Sequence, residues 1–183
     1  MKCSRCQREA IIDQPYSGKY LCEVHLIADV ESRVKKEIRK KGGLKSGEKL
    51  FISSENTMES FALRIFLSGL LLKRTDISFV SKETDADTIL SSSCLEDVAE
   101  TVLESVLKGD TKQFLSHAKK RIVEPFASIP RNEIEMYAAS HGWHREKTEK
   151  VSEINLFLND FSRTRPGTPF ALKNIKESLE GIK

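Results

Sequence analysis

Cys3, Cys6, Cys22 and His25 form a CxxC pair and a CxxH pair on either side of residues 7–21. No other feature constrains the chain so tightly. Each short pair sets two soft or borderline donors on one tight turn, and two such turns facing each other supply the four ligands of a tetrahedral zinc ion. The knuckles predict a hairpin between them: a strand over Glu9–Gln14, a turn at Pro15-Tyr16-Ser17-Gly18, and a returning strand over Lys19–Cys22. Four protein ligands leave no open position, so the spacing predicts a structural zinc rather than a catalytic one. Ordinary free cysteines and a disulfide framework are the competing readings. Three of the chain's four cysteines sit at knuckle spacing, which argues against the first. The start Met1-Lys2-Cys3 lacks an apolar leader, which points to the reducing cytoplasm and argues against the second.

The 183 residues, 39% hydrophobic and 31% charged, suffice for one globular core plus this finger. The longest apolar run, Phe61–Leu72, is interrupted by Arg64, Ser68 and Gly69 and falls short of the roughly 20 residues that span a bilayer, so no membrane role is expected. The net charge of +3 is too small to identify a polyanionic partner. Its distribution says more. Arg33, Lys35, Lys36, Arg39, Lys40, Lys41 and Lys45 crowd one segment just after the finger. Such a face can neutralise several phosphates, or it can be a solvated face paired with Glu31 and Glu37 at helical spacing.

Leu26, Val30, Val34 and Ile38 recur every fourth residue and predict a helix over Leu26–Lys41, ended by Gly42-Gly43. Strands are expected at Glu48–Ser53, Asp76–Ser81 and Asp87–Ser91, and an extended segment at Ile122–Ile129. Helices are expected over Asn56–Leu72, from Leu95 to Gly109 with Ser93 and Glu96 as its capping box, and from Pro130 to Gly142. Two more close the chain, over Glu149–Ser162 and from Thr168, which caps a helix with Pro169 at its first position. Alternating strands and helices define an α/β protein, whose ligands lie at the carboxyl ends of parallel strands. The divisions expected are a zinc finger over residues 1–28, a basic connecting helix over 29–47, and an α/β domain with carboxy-terminal helices over 48–183.

The opening MKCSRCQREAIIDQPYSGKYLCEVHLIADVESRVKKEIRKKG resembles the amino-terminal finger and connecting helix of the archaeal and eukaryotic tRNA 2-thiouridine synthetases of the PP-loop ATP pyrophosphatase superfamily. DADTILSSSCLEDVAETVLESVLKGDTKQF is similar to that family's Gly-His-Asn-Leu-Asp-Asp segment, IVEPFASIPRNEIEMYA to its Ile-Pro region, and INLFLNDFSRTRPGTPFALKNI to its closing helices with their Pro-Gly-Thr turn. The resemblance implies a reduced Rossmann-like parallel sheet with flanking helices behind the finger, and a setting in tRNA thiolation. It also marks departures. Glu55-Asn56-Thr57-Met58-Glu59-Ser60 stands where the family carries Ser-Gly-Gly-Lys-Asp-Ser, so the phosphate-cradling glycines and lysine are gone and Glu55 adds a repelling charge. Ser93 and Cys94 replace the histidine and asparagine of the second motif, leaving Leu95, Glu96 and Asp97. No cysteine lies between Ser60 and Ser91, where the family holds its iron–sulfur or reactive-sulfur centre, and His141-Gly142-Trp143-His144 stands near the place of a second zinc knuckle without a thiol.

These departures lead to the expectation of structural zinc, no ATP and no iron–sulfur cluster in a degenerate, non-catalytic relative that binds tRNA or a catalytic thiolation paralogue. A scaffolding module without a nucleic-acid role is the alternative, as is a divergent enzyme using Cys94, a cysteine at a helix N-terminus. Glu59 and Asp97 are a weak candidate pair for Mg²⁺.

Overall fold

The computed structural model describes residues 1–110, 114, 120–144 and 152–181. Strands β1 (Ile12–Gln14) and β2 (Lys19–Leu21) pair antiparallel with Ile12 opposite Leu21, and the turn between them closes through Gly18 at φ 64°. Helix α1 runs from Glu23 to Lys40 and starts three residues before the apolar stripe does. Cys22 stands at its N-cap with extended backbone, and Glu23 places a negative charge on the positive end of the helix dipole. Leu26, Val30, Val34 and Ile38 are all buried, and Gly43 (φ 72°) ends the helix by donating its N–H to the Ile38 carbonyl at 2.9 Å.

Four strands form one parallel sheet in the order β4 (Ser78–Phe79), β3 (Lys49–Ile52), β5 (Thr88–Leu90), β6 (Arg121–Val123). Helix α2 (Met58–Leu70) connects β3 towards β4, and α3 (Leu95–Lys108) follows β5. Helices α4 (Arg131–Ala139), α5 (Glu153–Thr164) and α6 (Thr168–Glu180) complete the chain. The chain is therefore α/β with a parallel sheet flanked by helices, as the strand and helix alternation requires. Because β3 lies between β4 and β5, successive connections leave in opposite directions along the sheet, and the switch point falls between the carboxyl ends of β3 and β5. The loops that begin at Ser53 and Ser91 meet there, with the Ser53 N–H donating to the Leu90 carbonyl at 3.0 Å.

One buried cluster joins the headpiece to the sheet. Leu21 and Leu26 pack in the same core as Leu50, Ile52, Leu90 and Val123 of the strands, Leu63 and Phe66 of α2, and Ile134 and Tyr137 of α4. At the amino end of the sheet, Arg121 donates to the carbonyls of Lys41 (3.1 Å) and Gly43 (2.8 Å) while ion-paired with buried Glu48 at 3.0 Å. A cation thus satisfies carbonyls at and just past the C-cap of α1 and, through Thr88 at 2.9 Å, fastens them to β5 and β6.

Several element ends differ from the sequence expectation. The extended segment expected over Ile122–Ile129 stops at Val123, because Pro125 has no N–H for a ladder; two turns closed by Ala127 N–H to Glu124 and Ile129 N–H to Phe126 follow. The strand expected over Asp76–Ser81 is only the exposed edge pair Ser78–Phe79. Helix α3 is capped one residue later than expected: Asp97 Oδ2 accepts from the Cys94 N–H at 2.9 Å, and Glu96 turns elsewhere. Gly167, not Thr168, is the N-cap of α6. Helix α5 begins at Glu153 behind Ser152, whose hydroxyl accepts from the Asn155 N–H at 3.0 Å; the expected start at Glu149 lies outside the described residues. No helix among the described residues is long and apolar enough to cross a membrane.

Candidate metal centre and the switch-point cluster

The two knuckles come together as their spacing demands. One ligand atom from each of Cys3, Cys6, Cys22 and His25 lies within 4.8 Å of the others, and the cysteines are free thiols. Cys3 and Cys22 are buried, Cys6 and His25 partly so. His25 Nδ1 is 3.3 Å from Cys3 Sγ and 3.4 Å from Cys22 Sγ, and Cys6 Sγ is 3.8 Å from Cys22 Sγ. A tetrahedral shell with bonds of about 2.0–2.3 Å sets its donors about 3.3–3.8 Å apart, so the residues present fit one bound metal ion. Burial, the largest influence on the Cys3 thiol, pushes it up, but the N–H of Arg5 pointing at the sulfur, with further backbone and His25 contacts, overcomes it and brings the thiol down to about 6. A thiolate is the form that binds metal. A metal held here would cross-link the amino-terminal knuckle to the start of α1, since Cys3 and Cys6 lie on the first and Cys22 and His25 on the second.

The switch point carries a different chemistry. Thr57 caps α2 through its hydroxyl, which accepts from Ser60 N–H at 3.1 Å, while Ser60 Oγ accepts from Thr57 N–H at 3.1 Å. Ser60, the residue that the resemblance retains, is thus spent on the cap. Glu55 and Asn56 are exposed, with Asn56 at φ 58°, and Met58 is half-buried. Glu59 on α2 and Asp97 on α3 do converge on one cation, and that cation is the guanidinium of Arg131 at the start of α4. The Arg131 N–H also donates to Glu96 Oε2 at 2.8 Å, and burial pushes the Glu96 carboxyl up. Three helix N-termini are therefore tied by carboxylates and one arginine, at the two acids that sequence offered only as a weak Mg²⁺ pair. Arg131→Met is expected to cost about 1–3 kcal/mol in a denaturant melt, because buried Glu59 loses its pair with this guanidinium.

Ser93 shares a hydroxyl contact of 2.8 Å with Ser91. Cys94 is fully buried, and that burial, with Glu96 and Asp97 nearby, holds its thiol well above the ordinary value. Such a thiol is a packing residue rather than an exposed nucleophile. His141 donates from Nδ1 to the Tyr137 carbonyl (2.7 Å) and Trp143 packs on Phe61 with ring centroids 5.1 Å apart, as helix-end residues do.

The seven cations divide. Arg33 is largely covered, donating to Tyr16 Oη and Glu133 Oε2, both at 2.7 Å, and to the Ser128 carbonyl. Lys35 pairs with Glu31 at 3.3 Å, Lys40 with Glu177 at 3.1 Å and Lys41 with Glu180 at 2.7 Å. Lys36, Arg39 and Lys45 are exposed, and among the described residues no carboxylate lies within 4 Å of their charges. Arg131, Glu133 and Lys173, which hold the elements together, gave no signal in sequence because their partners are distant along the chain.

Fold and site define an α/β protein with a parallel sheet and a four-donor metal knuckle at its amino end. Residues 2–27 match the family model described as 2-thiouridine synthetase TtuA, N-terminal LIM domain. The tRNA 2-thiolation protein NcsA of Haloferax volcanii is 46% identical over 39 residues, which are 21% of this chain and 12% of that protein. The U34-tRNA thiolase NcsA from Methanococcus maripaludis, solved with its [4Fe-4S] cluster, superposes with a TM-score of 0.82 at 15% identity, covering all of this chain and 88% of that one. The finger is thus similar in sequence to that of the 2-thiouridine synthetases, and the whole chain shares the fold of the solved thiolase.

The solved thiolase corrects one expectation. A cluster was excluded from this chain because cysteines are missing between Ser60 and Ser91, yet a protein of the same fold carries a [4Fe-4S] cluster. The group Cys3, Cys6, Cys22 and His25 is a thiolate-rich set that can hold such a centre, because thiolate and imidazole donors serve iron–sulfur centres as well as zinc. Donor type alone does not exclude iron.

Proposed function

We propose that the chain is a non-catalytic relative of the tRNA thiolation enzymes that binds tRNA through the outward face of α1, with its metal headpiece holding that face in place. The observation that carries this reading is that Lys36 and Arg39, on a helix that starts at the metal knuckle, and Lys45, in the loop that follows it, are exposed and without carboxylate partners among the described residues. Arg33, by contrast, is a structural cation and drops out of the binding face. The non-catalytic half is supported by the replaced loop Glu55–Ser60 and by the tie of Arg131 to Glu59 and Asp97 at the switch point. A catalytic thiolation paralogue is a second partner, favoured by the exposed, stacked Phe157 and Phe161 on α5.

The test is fluorescence anisotropy with a tRNA pool across a series of salt concentrations. Binding at low salt should weaken steeply, with a slope of about −0.9 in log K against log[salt] for each phosphate neutralised, giving about −2 to −4 for two to four contacts. No complex at about 50 mM salt removes the tRNA reading. Formation of thiouridine when the metal-loaded protein is given tRNA, ATP and a sulfur donor removes the non-catalytic one.

A further inference from the structure

Two depressions flank the outward ridge of α1, and they differ in kind. On the hairpin side a cleft of about 320 Å³ has mixed charge, with Lys19, Lys36, Lys40 and Lys173 but also the acids Asp29 and Glu37 in its lining. On the α2 side a groove of about 280 Å³ has an apolar floor of Ile38, Leu44, Leu70 and Leu71 and a rim of Lys35, Arg39 and Arg74. Arg39 has no carboxylate within 4 Å among the described residues, whereas Lys35 and Arg74 are held by the surface acids Glu31 (3.3 Å) and Asp76 (2.7 Å). The exposed Lys35 pair contributes little, whereas Asp76 grips Arg74 through two bonds (2.7 and 2.8 Å) that fix the plane of its guanidinium.

A cationic rim over an apolar floor fits an anion with an apolar face. A paired RNA helix offers phosphates and sugar edges but nothing apolar to fill a depression; a splayed base offers both a flat π-face and flanking phosphates. The planar guanidinium groups of Arg39 and Arg74 suit stacking on such a base, which ammonium groups do not. We infer that an RNA strand crosses the α1 ridge with an unpaired base in the groove floored by Ile38, Leu44, Leu70 and Leu71 and with flanking phosphates on Arg39 and Lys36. The inference rests on the RNA-binding reading above and adds to it a preference for unpaired nucleotides and the surface that produces it.

The experiment compares a stem–loop RNA with a fully paired duplex of equal length, by anisotropy at low salt, using the full metal-loaded chain. Wild type should bind the stem–loop about tenfold more tightly, the scale of one stacked base. Leu71→Ser, and independently Leu70→Ser at a more exposed position, should lower stem–loop affinity about 5- to 10-fold and leave duplex affinity unchanged, with thermal melts verifying the fold. Arg39→Gln should weaken both RNAs and flatten the salt slope by about 0.7–0.9. Equal wild-type affinity for both RNAs, or unaltered stem–loop affinity in both folded leucine variants, overturns the groove while leaving the tRNA reading intact. Binding of neither RNA overturns that reading itself. Saturation of the groove by an acidic amphipathic peptide that RNA fails to displace overturns the inference in favour of a protein partner.

Discussion

Cys22→Ser is expected to abolish metal retention and to unfold the amino-terminal headpiece. Elemental analysis for zinc and iron on the purified protein should fall from about one site's worth to background, and thermal unfolding should lose its upper transition or shift down by more than ten degrees. The size follows from linkage: a structural metal bound only by the folded state contributes on the order of 10 kcal/mol, and the donor group does not exist in the unfolded chain. Cys22 is the position with the most to lose, because it is also the N-cap of α1 and its carbonyl accepts the Leu26 N–H at 2.8 Å. Cys94→Ser is the control. That thiol is buried at the N-cap of α3 and belongs to no metal-donor group among the described residues, so metal content should be unaffected. Full metal content in the Cys22 variant would mean that the knuckle is not the binding site.

Arg33→Met should destabilise the protein by about 3–5 kcal/mol, the range for removing one partner of a buried ion pair. Glu133 beneath it has a side chain only 1% exposed, with Tyr16 donating at 2.6 Å and Arg33 at 2.7 Å. Burial, the largest influence, already raises the Glu133 carboxyl, and Arg33 is what pulls it back down. Removing the guanidinium lets it rise further. A carboxyl whose folded value lies above its unfolded one gives stability that is fully present below the unfolded value and is lost as pH rises through the folded one. The Arg33→Met deficit should therefore be largest near neutral pH and shrink as pH falls towards 5, measured as the difference in urea midpoint between variant and wild type. A deficit that stays constant with pH would mean that Glu133 remains compensated by another cation. The same variant, refolded at permissive temperature, should keep its tRNA salt slope, which separates Arg33 from Lys36 and Arg39.

How far the sequence could be read depended on the range of the interactions involved. The metal knuckle was legible because its ligands sit in two local pairs, and the α1 stripe because a period of four residues is visible without any partner. The strand and helix alternation likewise gave the α/β class. What failed were features decided at a distance. Arg131 meets Glu59 across 72 residues and Asp97 across 34, and nothing near Arg131 in the chain announces either. Arg33 read as one of seven equivalent cations because the covering residues, Ser128 and Glu133, lie about a hundred positions away. The cap of α3 moved by one residue because Glu96, which fits a capping box locally, is claimed by the Arg131 backbone instead. The exclusion of an iron–sulfur centre failed for a chemical reason: it counted missing cysteines between motifs and overlooked that the thiolates already present suit an iron–sulfur centre as well as zinc.

The burial of Leu21 and Leu26 alongside Phe126 and Ile134 carries a consequence for how the molecule meets anything else. A headpiece hung on a flexible tether would sweep out a volume and search for its target; one mortared into the foundation has a single pose. The angle between the lysine-bearing helix and the strand termini is then set once, when the chain folds, so a docking partner must match both surfaces as a rigid template, and truncating the first twenty-five residues would leave an open wound in the interior rather than a trimmed protein.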